Sequence, residues 1–278
     1  MSAAFLPVLA LLCYLVAAVI VSQRLYHADG PRLKLLFSVA IAGVVMHMLG
    51  LSQSLFTAEG QNFSLLNVSS LVCWLITAAF TVTALRTPIL LLLPIVYGFA
   101  AMVQLAVILL PDAVQLQHFE HSPWLLTHIM VAFIAYVILI MATLYSFQVS
   151  LISQRLKQRT PLPSGTVLPP LMQAEQLLFR LILLGTVLLG ITVFSGAVFG
   201  QDWFARHNIH KNVLSTLGFI VFVVLLAGHR LAGWRGRIAN GLTMTGSLLL
   251  TLAYFGSRFV REVLLQSDLT LCLISHIN

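Results

Sequence analysis

Long apolar runs, separated by short polar intervals, organise this chain. A helix crosses the hydrocarbon core of a bilayer with about 20 apolar residues. Eight runs approach or reach that length: Ala4–Gln23, Leu33–Gln53, Leu65–Leu85, Pro88–Leu110, Pro123–Ser150, Gln176–Phe199, Asn212–Leu231 and Ile238–Val260. The pattern predicts an all-α fold, a polytopic membrane bundle of about eight transmembrane helices. Two starts carry local signals. Thr87-Pro88 is expected to open the fourth span, and Ser122-Pro123-Trp124 the fifth, as N-cap, first-turn proline and interfacial aromatic. The longest interval, Leu151–Glu175, holds Pro161, Pro163, Pro169 and Pro170 and is expected to be a stiff connector. No interval is long enough for an attached catalytic module, so residues 1–278 are expected to form one integral-membrane domain. Its last stretch, residues 261–278, is a tail without a structural assignment.

Composition agrees with the pattern. Of 278 residues, 59% are hydrophobic and 8% charged, against roughly a quarter charged in an ordinary soluble domain. That excludes a water-soluble globular protein, and it excludes disorder, which needs low hydrophobicity and high charge. The three cysteines, Cys13, Cys73 and Cys272, form no Cys-x-x-Cys or zinc spacing.

The net charge of +7 has a topological use rather than a nucleic-acid one. Arg24, Arg32 and Lys34 follow the first span, and Arg86 follows the third. Arg155, Lys157, Arg159 and Arg180 surround the loop after the fifth, and Arg230, Arg235 and Arg237 follow the seventh. Only Arg206, Lys211, Arg258 and Arg261 fall on the other side. Positive charge is held on the cytoplasmic side, so both termini are expected outside. Met1–Phe5 carries no charge ahead of the first span, which argues against a cleaved signal peptide.

Candidate chemistry lies in the ionisable residues within the spans, since such groups are costly in a membrane. All eight acids lie in loops, at span edges or in tails, which leaves a proton- or cation-coupled transporter little to work with. Histidine differs. His47 lies within the second span, His128 within the fifth and His229 at the end of the seventh. His47 is six residues from the outer end of its span and His128 five residues past the outer end of its own. At 1.5 Å per residue both lie about 8–9 Å below the outer surface. Two imidazoles at one depth are what a bis-histidine haem iron requires. The competing reading is that each histidine hydrogen-bonds a neighbouring helix. His229 is near the cytoplasmic face, about 20 Å from the other two, and cannot share their iron. His118 and His121 are spaced for a metal pair, though solvated loop residues are the simpler reading. Asn62-Phe63-Ser64 and Asn67-Val68-Ser69 match a glycosylation pattern that short sequences often meet by chance.

Several stretches, in order, resemble the cytochrome c assembly family of haem-handling membrane proteins (CcsA, ResC and HemX-like). They are Leu126-Thr127-His128-Ile129 followed by Phe133-Ile134-Ala135-Tyr136; Ser195-Gly196-Ala197-Val198-Phe199-Gly200; Gly228-His229-Arg230 with Gly233-Trp234-Arg235-Gly236; and Leu252-Ala253-Tyr254-Phe255-Gly256. Further stretches, Ser64–Val68, Leu91–Tyr97 and Pro169–Met172, resemble the YpjD-type subgroup of inner-membrane proteins. The resemblance implies a helical bundle in the bacterial inner membrane that presents haem at its outer face. His128 matches the family's outer-side haem histidine, and His229 the histidine of the helix after the tryptophan-rich segment. That segment itself is replaced here by Gln201–Lys211, with one tryptophan. The resemblance therefore implies haem handling or an accessory part in cytochrome assembly.

The sequence-level expectation is thus a haem b site with His47 and His128 as axial ligands of the iron and His229 as a further cofactor-binding residue. Its partners would be haem, the bilayer and a membrane or periplasmic protein, with no nucleic acid. No catalytic residues are evident. The alternative is a cofactor-free transport or ion-homeostasis component sharing the fold. A two-haem electron carrier would need a partner for His229 near the inner face, where only the loop residue His27 is available.

Overall fold

A computed structural model describes residues 5–24, 32–57, 60–86, 89–110, 116–117, 123–157, 171–199 and 209–256. The protein is a polytopic helical membrane protein. The helices are α1 (Phe5–Arg24), α2 (Leu33–Leu55), α3 (Leu65–Ala84), α4 (Leu93–Leu109), α5 (Pro123–Lys157), α6 (Leu171–Phe199), α7 (Ile209–Ala232) and α8 (Arg237–Thr251). A π-helical turn, Leu252–Gly256, continues α8. Among the described residues, seven helices are long and apolar enough to cross a membrane, and α4 is a shorter apolar helix.

Most boundaries fall near the expected spans. The fourth differs. Thr87 and Pro88 lie outside the described residues, and α4 opens only at Leu93-Pro94, after a turn. The cause is Pro94: it has no N–H, and its ring blocks a preceding helical turn, so it fits only the first turn. The fifth helix opens at Pro123 as expected and continues beyond the apolar run to Lys157. Three short strands were not anticipated. They are β1 (Phe56–Thr57), β2 (Gly60–Asn62) and β3 (Leu116–Gln117), in the antiparallel order β1-β2-β3. Their register pairs Phe56 with Gln61, and Asn62 with Leu116.

The membrane domain groups into two compact units. The first holds residues 1–121 and 140–181, the second 122–139 and 182–278. In the first, α1 packs against α2 and α4, and α3 also packs against α2 and α4, which closes a ring of four helices. The inward stripe of α2 is Leu36, Ala40, Gly43, His47, Gly50 and Leu51, at helical spacing, while Val45, Met48 and Leu49 are exposed. Small residues set the approach. A Cβ on Gly43 would lie 3.0 Å from Cys13 Cβ and 3.1 Å from the Tyr14 ring, so only glycine lets α1 come this close to α2. Trp74 Nε1 of α3 donates to the Val44 carbonyl of α2 at 2.9 Å. Ser64 caps α3 by accepting from Asn67 N.

In the second unit α7 packs against α8 and its π-helical extension. The link between α7 and α8 turns through Gly233 (φ +65°) and Gly236 (φ +61°), left-handed positions that suit glycine. The Trp234 ring folds back over α7 and occupies the place a Cβ on Gly228 would need.

Candidate functional site

Each of the three candidate histidines is held by a defined hydrogen bond, and the chemistry differs among them. His47 is 1% exposed. Its Nδ1 lies 3.1 Å from the Tyr14 hydroxyl, and its Nε2 lies 2.9 Å from Ser70 Oγ. Both ring nitrogens are therefore engaged, by residues of α1 and α3. Tyr14 is also stacked on Tyr97 of α4, with ring centroids 6.2 Å apart. The Tyr97 hydroxyl lies 3.1 Å from Thr81 Oγ1, whose own proton goes to the Thr77 carbonyl at 2.7 Å. Tyr97 must then be the donor to Thr81, because one hydroxyl has one proton.

The same unit disposes of the two glycosylation patterns. Asn62 is 5% exposed and Asn67 is 1% exposed. Asn67 Nδ2 donates to the Asn62 carbonyl at 3.1 Å, and Asn62 Oδ1 accepts from Ser64 N at 3.2 Å. Asn62 in β2 and Asn67 in the first turn of α3 are thus tied together and shielded from a glycosylating enzyme.

His128, in the second unit, is half-buried. Its Nδ1 lies 2.8 Å from Ser195 Oγ of α6. Ser195 Oγ also donates to the Thr192 carbonyl at 3.1 Å. A carbonyl can only accept, so that bond uses the serine proton. The bond to His128 must then be donated by Nδ1–H. A neutral His128 consequently carries its lone pair on Nε2, the arrangement in which imidazole binds a metal while its other nitrogen is held by a second partner. Around it, the Lys211 ammonium bears electrostatically on His128 and lies 5.7 Å from the centre of the Tyr254 ring. Tyr254 meets Phe133 edge-on at 5.6 Å. Tyr136, one turn below, bonds Thr251 Oγ1 at 2.9 Å. The arrangement groups an imidazole, a cation and aromatic rings.

His229 is half-buried at the end of α7. Its Nδ1 donates to the Trp234 carbonyl at 2.9 Å, which again puts a neutral ring's lone pair on Nε2. The exposed Arg230, Arg235 and Arg237 surround this turn.

His47 thus belongs to the first unit, and His128 and His229 to the second. Of the remaining histidines His210 is exposed on α7. His27, His118, His121, His207 and His276 lie outside the described residues, as do the Gln201–Asn208 part of the replaced tryptophan-rich segment and the tail 261–278. Among the described residues no group of three or more His, Cys, Asp and Glu is gathered to hold a metal ion. Sequence reasoning missed Tyr14 and Ser70 beside His47 and Lys211 near His128. Ser195 and His128 lie in two separate stretches of the sequence, and only the fold brings them together. The available signal was small: isolated polar residues on the inward stripes of apolar helices.

The model of the family described as cytochrome C assembly protein matches residues 35–265. The inner membrane protein YpjD of Escherichia coli (strain K12) is 37% identical over 258 residues, covering 92% of this chain and 97% of that protein. A 28.8 kDa protein from the nifR3-like 5' region of Azospirillum brasilense is 35% identical over 144 residues, 51% of this chain and 53% of its own. The cytochrome c biogenesis protein CcsA of Prochlorococcus marinus (strain AS9601) is 25% identical over 162 residues, 50% of this chain and 52% of its own. No solved structure matches.

Proposed function

The chain belongs to the cytochrome c assembly protein family, and on that premise we propose that it is a bacterial inner-membrane protein that binds haem b, with His128 as an axial ligand of the iron, and that it acts in haem handling or cytochrome assembly. Its similarity to YpjD supports the inner membrane as its location. The 11-to-4 division of Lys and Arg supports both termini outside, which puts His128 in the outer leaflet. The chain has no Cys-x-x-Cys-His for covalent haem attachment, so the haem would be held without thioether bonds, as in a b-type site.

The observation that carries this reading is the fixed proton order of Thr192, Ser195 and His128. Ser195 takes the Nδ1 proton of His128 and turns its Nε2 lone pair outward from the α5–α6 contact. The residues present fit the group. Haem is a large flat aromatic body with two carboxylates and an iron. Here Nε2 of His128 suits the iron, Lys211 suits a carboxylate, and Tyr254, backed by the buried Phe133, offers an aromatic ring. Haem, when bound, supplies a redox-active iron that can be carried or presented to a partner protein. The chain's own part is to hold the imidazole in one tautomer and to keep a cation beside it.

His229 is retained as a second cofactor-binding candidate, on the cytoplasmic side. For His47 to be the second axial ligand it would have to release Tyr14 or Ser70. In this reading it keeps both.

The test is an absorption spectrum of the detergent-purified protein, oxidised and dithionite-reduced, with a pyridine haemochrome assay. The expected result is sharp reduced α and Soret bands, abolished in His128→Ala and retained in His47→Ala. A protein that is colourless and takes up no added hemin would overturn haem binding and leave the transport or scaffold reading in front. Bands that survive His128→Ala would overturn the ligand assignment alone.

A further inference from the structure

The four-helix ring of the first unit contains a small cavity lined by Pro7, Gly50 and Val107 and by the polar residues His47, Asn67, Ser70 and Gln104. It holds about 10 Å³, the size at which a protein cavity admits one water and too little for two. Gln104 is 2% exposed, and its Oε1 is a buried acceptor with no hydrogen-bond partner among the described residues. A buried acceptor in that state calls for a donor, because unpaired in an apolar interior it loses its bonds to water with nothing in return.

The proton order around His47 points to the same place. Tyr14 is fully buried, and among the described residues its hydroxyl meets only His47 Nδ1. To avoid a stranded O–H it must donate, which puts the imidazole proton on Nε2 and directs it to Ser70 Oγ. Ser70 Oγ then accepts from His47 and has its own proton still to place. Among the described residues no carbonyl receives it, and Ser70 lines the cavity. One side of the cavity therefore presents a donor without an acceptor, and the other an acceptor without a donor. The reverse order, with Ser70 donating to His47, would strand the Tyr14 hydroxyl, which is 0% exposed.

We propose that this cavity is a binding site for a single water molecule, which accepts from Ser70 and donates to Gln104. The water completes a one-way chain from the Tyr14 hydroxyl to His47, to Ser70, to water, to Gln104 Oε1. Each of α1, α2, α3 and α4 supplies one side chain to it. Such a chain fixes the azimuth of all four helices at once, because turning any one of them strands a buried polar group. The ligand must both accept and donate. That excludes an ammonium-type ion, which has no lone pair, and disfavours a bare metal cation, which could not accept the Ser70 proton.

The experiment is solid-state NMR on the histidine-, serine- and glutamine-labelled full chain in lipid bilayers, with magnetisation transferred from water. The expected result is a water contact at both Ser70 and Gln104, with His47 protonated on Nε2 and not on Nδ1. Gln104→Met should abolish the contact at Ser70, because methionine fills the space without offering an acceptor. Absence of a water contact in the wild-type chain would overturn the proposal. So would a proton on His47 Nδ1, or signals at Gln104 that shift when sodium and potassium are replaced by choline. The wild-type measurement stands even if the variant fails to fold. The haem spectrum of the wild-type chain is read separately, so loss of one proposal leaves the other intact.

Discussion

At the scale of single residues, the three membrane histidines share one side chain and differ in where their protons are held. His128 is held at one nitrogen by a serine whose own proton is already committed to a carbonyl. Ser195→Ala should therefore leave the protein folded and weaken haem binding by about 10–100-fold, the usual effect of losing the partner that orients a metal-binding imidazole. A hemin titration followed at the Soret band checks this, and unchanged affinity would remove Ser195 from the site. His47 is held at both nitrogens. Tyr14→Phe would leave Nδ1 buried and unpaired, and should cost about 1–3 kcal/mol of stability with the haem spectrum unchanged. Thermal unfolding in detergent, followed together with the spectrum, separates the two effects.

At the scale of elements, close helix approach depends on where side chains are missing. Gly43 admits Cys13 and Tyr14, and so brings the Tyr14 hydroxyl to His47. Gly228 admits the Trp234 ring, which packs the α7–α8 link onto α7 while the Trp234 carbonyl takes the His229 proton. Gly228→Ala should displace the tryptophan and lower stability by about 1–3 kcal/mol, as overpacking does. Trp234 fluorescence should shift with it, and a variant with wild-type stability and emission would show that the ring has another place to go. The start of α4 illustrates a limit of local signals. Both Pro88 and Pro94 satisfy the first-turn rule, and α4 opens at the second.

At the scale of the whole molecule, the charge asymmetry and the eight apolar runs lead to one topology. It is tested by single cysteines in a background lacking Cys13, Cys73 and Cys272. Thr57→Cys, at the exposed end of α2, should react with an impermeant thiol reagent in intact spheroplasts. Pro163→Cys, in the long connector, should react only in inverted vesicles. The reverse pattern would invert the protein in the membrane and move His128 to the cytoplasmic leaflet. The first unit carries a chain of buried polar side chains around His47, and the second carries two candidate imidazoles, His128 and His229.

The sequence by itself determined the membrane class, the number and order of helices, the family and the short set of residues worth inspecting. The class and the helices follow from composition, run length and charge placement, and the family from a resemblance of several stretches in order; these are properties of the chain in order and need no knowledge of which helix neighbours which. The glycosylation patterns at Asn62 and Asn67 show where that stops, since a three-residue match carries no information about burial, and both side chains are enclosed. An expected depth for His47 and for His128 was legible because rise per residue is fixed. Whether a histidine's lone pair is available was not, because that depends on a hydroxyl 23 or 67 positions away in the chain and on where that hydroxyl's single proton goes. Only the packing of helices decides who is within 3 Å of an imidazole, and the chain's apolar runs, uniform on every face, leave that choice to tertiary structure.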